Sequence, residues 1–335
     1  VLALLIGCFF LLATGEGFAN IFVAYSSLFI GSLGSLNAIS ETFTAATPLV
    51  FAALGIALAF RAGLFNIGAE GQMIIGGLAT VIVGFSIDFL PIWIHLPLAL
   101  SIGALFGALY AAIAGWLKAY TGAHEVISTI MLNLIALRLL DYVLRSPIIQ
   151  KEGRNDPISK SILDSAELPQ ILAFIDPQLR LHGGFLLMLV AVFFIYWLLF
   201  HTTIGYEFRT TGANPNAAKY AGIKAGFTIV LVMAIAGALA GLAGANQITG
   251  VLGRASPGFS AGIGFDAIAV ALLGRSHPIG VLFAGLLFGA LIAGGRLMQV
   301  KAGVSVDLIT IIQALIIVFI AAPLLIKKSL PWFFK

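Results

Sequence analysis

The chain has 335 residues, 60% of them hydrophobic and only 10% charged, with a formal net charge of +4. This balance places it among integral membrane proteins and sets aside the two or three soluble domains that length alone would suggest. The small positive charge fits loops lying near anionic lipid rather than nucleic-acid binding. With a single cysteine, Cys8, no internal disulfide can form.

Hydrophobic stretches fall at about 1–14, 46–62, 71–87, 96–117, 124–143, 184–200, 227–249, 264–274, 278–295 and 308–326. They predict an all-α integral membrane fold of about ten transmembrane helices within one transmembrane domain, 1–335. The first holds LLIGC, which superficially resembles a lipoprotein cleavage site, but no basic region precedes it. It reads as the remainder of a membrane helix lacking its start, with a cleaved signal as the alternative. The stretches 71–87 and 264–274 are short, and each follows a Gly-rich polar segment, GLFNIGAEGQ (63–72) and GRASPGFSAGIGFD (253–266). They hold matching places in two halves of opposite orientation, an inverted pseudo-repeat of the kind transporters build around broken helices.

Polar residues at membrane depth are costly and usually face protein or a water-filled path. Asn66, Glu70 and Gln72 stand beside Phe65 and several glycines. Asn66 and Glu70 are four apart and would share a helical face. One reading makes this segment a gate or the lining of a substrate path; the other has Glu70 cap a helix starting near Gly71. Further on, Glu125, Ser128, Thr129 and Asn133 form a stripe. Asn133, near mid-membrane, serves either as interhelical glue or as path lining. Arg138 and Asp141, three apart, are expected to pair, and Asp266 to cap the short helix around it. GALFG (103–107), GALAG (237–241) and GLLFG (285–289) are small-xxx-small patterns suited to internal packing.

Two hydrophilic segments interrupt the spans. Residues 144–182 carry balanced charge and read as an external loop, either a landing surface for another protein or a plain linker. Residues 201–226 contain GYEFRTTGANPNAAKYAGIK. There Gly205 is expected to end the preceding helix. Asn214 reads as a helix N-cap, Pro215 as the first helical residue and Gly222 as the stop. Arg209, Lys219 and Lys224 make the segment basic, hence cytoplasmic. A short capped helix between two spans suits docking onto a partner.

No catalytic arrangement emerges. The five histidines are scattered and none has zinc-ligand spacing, so no metal site is expected. No phosphate-binding G-x-x-x-x-G-K-[ST] occurs; if ATP drives this machine, a different polypeptide binds it.

Four segments, RAGLFNIGAEGQ (61–72), EVISTIMLN (125–133), the loop from Gly205 to Ile223, and GFDAIAVALLGRSHPIGV (264–281), resemble bacterial ATP-binding-cassette importer permeases. The branch is the one serving branched-chain amino acids, simple sugars and nucleosides, and the nucleoside-type permeases are the most similar. The resemblance covers the chain from about Ala46 onward. It implies a BtuC-like, type II importer fold in the bacterial inner membrane. It also implies a second permease subunit, a cytoplasmic ATPase that carries ATP and Mg, and an external substrate-binding protein, with no cofactor on this chain. A coupling helix maps to Asn214–Gly222, and the coupling residues are Gly205, Tyr206, Glu207, Arg209, Asn214, Pro215, Ala217, Ala218, Tyr220, Gly222 and Ile223. Related ligands, simple sugars or riboflavin, are the nearer alternative; an ion-coupled secondary transporter is the alternative from another class.

Overall fold

The computed structural model describes residues 2–13, 15, 17–305 and 307–321. Their regular structure is helical: α1 (Leu2–Ala13), α2 (Phe18–Leu33), α3 (Leu36–Arg61), α4 (Ala69–Ser86), α5 (Ile92–Trp116), α6 (Glu125–Leu144), α7 (Gly184–His201), α8 (Thr203–Ala213), α9 (Pro215–Tyr220), α10 (Ala225–Gln247), α11 (Ile263–Leu273), α12 (Pro278–Ala302) and α13 (Asp307–Ala321). Single π-turns extend α5 over Leu117–Thr121 and α10 over Ile248–Leu252. Among the described residues, seven helices are long and apolar enough to cross a membrane: α3, α4, α5, α6, α7, α10 and α12. The helices α2 and α11 are shorter but apolar.

The sequence reading missed α2 and began α3 ten residues late. Glycines, serines and an asparagine dilute the hydropathy between Gly17 and Asn37, although Ile21, Ala24, Ser27 and Leu28 are buried. Pro48 lies inside α3, a position that membrane helices tolerate more readily than soluble ones. The end of the stretch expected at 308–326, with Lys327, Lys328 and Lys335, lies outside the described residues.

The chain divides into two compact units. The smaller takes residues up to Ala46, Leu172–Leu181 and those from Leu286 onward. Leu11, Ile21, Leu28, Met298, Ile309 and Ile312 form its core, and Glu41 is paired there with Arg180 at 3.5 Å and Arg296 at 3.1 Å.

The larger unit, Thr47–Ile171 and His182–Gly285, is organised around α4. Nearly every residue of α4 is buried, whereas α6 buries only the stripe Glu125, Thr129, Asn133, Ala136, Leu140 and Leu144. The small-xxx-small patterns of α5 and α10 face each other: a side chain added at Gly107 would strike Gly237 and Gly241, and one at Gly76 of α4 would strike Gly241. Backbones in this approach exchange dispersion contacts that lipid does not outcompete.

The hydrophilic loop after α6 is ordered against this unit. Ser159 and Ala255 exchange two hydrogen bonds of 2.9 Å, the Ile162 amide donates to Gly253 at 2.9 Å and the Leu168 amide to Thr249 at 2.9 Å. The loop thus folds over the ends of α4 and α10. Arg138 and Asp141 do not form the expected pair: neither belongs to an ion pair among the described residues. An arginine placed N-terminal to an acidic residue is the weaker orientation of such helical pairs.

Candidate functional site

Two sites stand out in the larger unit. The first is where α4 and α11 begin. Helix α11 opens on Gly262, which has φ +77 and no side chain to cap the helix. The cap comes from Glu70 on α4. Its carboxylate accepts from Ser260 Oγ at 2.5 Å, from the Gly262 amide at 3.3 Å and from the Gly264 amide at 2.7 Å. A charged acceptor facing free helix N-terminal amides gains from both the hydrogen bonds and the helix dipole. The backbones touch at this point: a Cβ at Gly264 would collide with the amide nitrogen and Cα of Glu70. Glu70 therefore caps the partner helix, not the start of its own. Asp266, expected as the cap, lies within the first turn of α11, and the N-cap position is Gly262.

Asn66 is not on α4, so it shares no helical face with Glu70. It lies in the segment before the helix, where its side chain accepts from the Gly68 amide at 2.9 Å and exchanges hydrogen bonds of 3.1 and 3.0 Å with Gln72. Asn133 completes this knot from α6, accepting from the Gly71 amide at 2.8 Å and donating to the Ile67 carbonyl at 2.9 Å. Asn66, Gln72 and Asn133 are buried, and each polar group meets a partner of matching character. The knot fixes how the segment before α4 joins the helix. Phe65, by contrast, is 41% exposed and stacks on Phe60 at a 4.8 Å centroid distance. At the end of the α5–α6 hairpin, Lys118 pairs with Glu125 at 2.8 Å.

The second site is the segment 202–224. It contains two helices rather than a loop and one helix. Thr202 caps α8 by accepting from the Gly205 amide at 3.0 Å. Gly205 thus lies in the first turn of α8 and does not terminate α7. Its glycine identity has a packing cause: a Cβ would run into the Leu198 carbonyl and Leu199 as α8 folds back on α7. The Asn214 side chain accepts from the Asn216 and Ala217 amides at 3.0 and 3.1 Å, with Pro215 at the first helical position. Gly222, at φ +80, closes α9: its amide donates to Lys219 at 3.1 Å and the Ile223 amide to Ala218 at 3.0 Å. This is a helix-ending pattern that needs a left-handed residue at Gly222. The face that α9 presents outward is Asn216, Ala217, Lys219 and Tyr220, the last 95% exposed, whereas Ala218 is buried against its own chain. Tyr206 is exposed, Glu207 is half-buried, and Arg209 turns its guanidinium onto the Phe200 ring, 5.2 Å from its centroid.

Sequence reading overlooked Ser260, Gly262, Gly264 and Thr202. A helix start made of glycines with no capping side chain, and a lone glutamate in an apolar run, were the signals available for the first three. Among the described residues, no three metal-ligating side chains converge.

The family model described as the permease component of the branched-chain amino acid transport system matches residues 38–321. The chain is 39% identical to the guanosine ABC transporter permease NupP of Bacillus subtilis, over 98% of this chain and 92% of the relative. It is 36% identical to the nucleoside ABC transporter permease NupB of Lactococcus lactis, over 99% and 91%. It is also 36% identical to the glucose ABC transporter permease TsgB13 of Haloferax volcanii, over 91% and 81%. Each of these organisms has a second relative with the matching transporter name, 28–30% identical over 75–77% of this chain. No solved structure matches. The chain therefore belongs to the permease-component family of branched-chain amino acid transport systems, and is a multi-pass membrane subunit of an ABC transporter.

Proposed function

We propose that this chain is the permease subunit of an ATP-driven importer that moves nucleosides inward across the cell membrane. The observation that carries this reading is near-full-length similarity to two permeases named for guanosine and nucleosides. Nucleosides are neutral, so their passage needs hydrogen bonds and apolar surface rather than counter-charges. The test is uptake of radiolabelled guanosine, uridine and glucose by vesicles carrying the complete importer. Glucose uptake without nucleoside uptake would replace the ligand assignment with the one in the name of the Haloferax volcanii relative.

The second permease is a related, non-identical chain. Three organisms pair one relative of 36–39% identity with another of 28–30% under matching transporter names, and this chain falls in the closer group. The outward face of α6 supports such a partner, because Arg138 is exposed there among Met131, Leu134, Ile135 and Leu139. An arginine at that depth is expensive against lipid and tolerable against protein or a wet path.

The ten-span, type II arrangement with inverted halves remains our reading. What supports it is the meeting of α4 and the short α11 by their N-termini, Glu70 against Gly264, each entered through a Gly-rich segment. Segment 201–226 is cytoplasmic in this reading, and 144–182 faces outward to receive a substrate-binding protein. Cysteines introduced by Glu152→Cys and Asn216→Cys, each in a Cys8→Ser background, test this on wall-stripped cells. An impermeant thiol reagent should modify the first and spare the second; the reverse pattern would invert the topology.

Helix α9 is the docking element for the ATPase, which binds ATP and Mg. Ala217→Asp places a carboxylate at the third helical position, where the helix itself favours it. The variant should fold and insert yet lose ATPase subunits on purification. Full retention of the ATPase and of transport would remove α9 from the coupling role.

A further inference from the structure

Where α7 ends, four cationic or titratable side chains gather around one phenyl ring. The Arg61 and Arg209 guanidinium carbons lie 5.8 and 5.2 Å from the centroid of Phe200, and the His277 ring stacks on Phe200 at 5.3 Å. Tyr196 links the cluster outward, at 5.8 Å from His277 and 5.5 Å from the exposed His201. Arg61 is held in place by donating to the Ser276 carbonyl at 2.9 Å. Arg275 and Ser276, which form this turn, both adopt left-handed backbone, at φ 53 and 51. Neither Arg61 nor Arg209 belongs to an ion pair among the described residues, and Glu207, the carboxylate of α8, lies within pairing distance of neither. Arg61 also donates to the Arg275 carbonyl at 3.5 Å, so the cluster gathers two guanidinium groups with no carboxylate paired to either among the described residues, and such planar donor forks suit the oxygens of an anion.

An apolar groove of about 350 Å³ opens on the same helix, between α3, α7 and α10, lined by Phe51, Val190, Phe194, Ile235, Ala238 and Leu239 among others. Val190, Phe194, Trp197 and His201 recur at helical spacing and so lie on one face of α7. The first three are exposed apolar side chains and the last is an exposed imidazole. From Phe194 to His201 is about 10 Å along the helix axis. Tryptophan at such a position marks the boundary between hydrocarbon and headgroups.

We propose that this groove and cluster form a binding site for one anionic glycerophospholipid. An acyl chain lies in the groove over Phe194, and the phosphate sits between Arg61 and Arg209. Cation–aromatic stacking on Phe200 pre-orders the two guanidinium groups, so little side-chain entropy is lost on binding. The site lies beside α8, which leads directly into α9, so the bound headgroup would brace the segment that meets the ATPase. Its placement in the cytoplasmic leaflet rests on the orientation proposed above; the site itself does not.

The test uses the purified complete importer, delipidated and titrated with phosphatidylglycerol, phosphatidylcholine or inorganic phosphate, with bound lipid counted by native mass spectrometry. Phosphatidylglycerol should be retained in preference to phosphatidylcholine, and inorganic phosphate should not displace it at equal concentration. Arg209→Gln should weaken phosphatidylglycerol retention on the order of tenfold, the equivalent of one lost charge-assisted hydrogen bond. Arg209→Lys should recover part of it. Ala238→Trp, which fills the groove and leaves the cluster intact, should also lower lipid retention. Equal retention of the two lipids would overturn the proposal, as would unchanged phosphatidylglycerol binding in both Arg209→Gln and Ala238→Trp. Displacement by inorganic phosphate would assign the cluster to a free anion instead. Each variant's ATPase content is measured alongside, which separates loss of lipid from loss of docking.

Discussion

Helices α9 and α11 are both short, and both need an acceptor for the amides of their first turn, yet they obtain it in opposite ways. Asn214 caps α9 from the position immediately before it, through hydrogen bonds to residues two and three ahead. Glu70 caps α11 from another helix, through groups some 190 residues away in sequence. The first cap forms wherever the local backbone forms and leaves α9 free to act as a self-contained surface element. The second exists only when α4 and α11 lie together, so it depends on their relative position. A cap supplied across the fold can hold a gate; a local cap can only hold a shape.

The largest effect should come from breaking the long-range cap. Glu70→Leu leaves the Gly262 and Gly264 amides and Ser260 without their acceptor in a buried site, at roughly 1.5–3 kcal/mol for each charge-assisted hydrogen bond. Nucleoside uptake by vesicles should fall by about tenfold or more while the complex still assembles. Glu70→Gln, which keeps an acceptor oxygen, should retain partial uptake. Wild-type uptake in Glu70→Leu would end the idea that this contact works as a gate.

Asn133→Ala sharpens the comparison from the other side, by loosening the base of α4 without touching the cap. It strands the Gly71 amide and the Ile67 carbonyl, each costing about 1–3 kcal/mol when buried and unpaired. The thermal unfolding midpoint of the solubilised complex should drop. If transport instead falls with no loss of stability, Asn133 meets the substrate and is not simply holding the two segments together.

Smaller still is the expected effect of Asn214→Ala, about 1 kcal/mol confined to α9. The stability of the whole chain should hardly change, while ATPase activity becomes less responsive to substrate. Asn214→Asp, an equally good cap, should restore the response. A large loss of global stability in Asn214→Ala would mean that α9 is not the independent element described here. Gly222→Ala, which places a side chain at φ +80, should resemble Asn214→Ala at about 1 kcal/mol.

What the sequence determined by itself was whatever depends on neighbours along the chain. The long apolar spans, the cap and stop of α9, and the glycine patterns of α5 and α10 were legible because span length, turn chemistry and close backbone approach are written in consecutive residues. Even there, the reading stopped short where hydropathy was dilute. Helix α2 escaped it, because two of its serines, Ser27 and Ser32, are buried, and a polar residue placed inside needs no apolar average. Gly205 reads as the stop of α7 because glycine often ends helices; what requires it is the carbonyl of Leu198, a neighbour that exists only once α8 folds back on α7. Only the tertiary structure decided the partners of the buried polar groups. Asn66, Glu70, Gln72 and Asn133 were recognisable as costly at membrane depth, but their partners lie on other elements. A carboxylate in an apolar run must find donors somewhere; which donors is a property of how α4 and α11 meet.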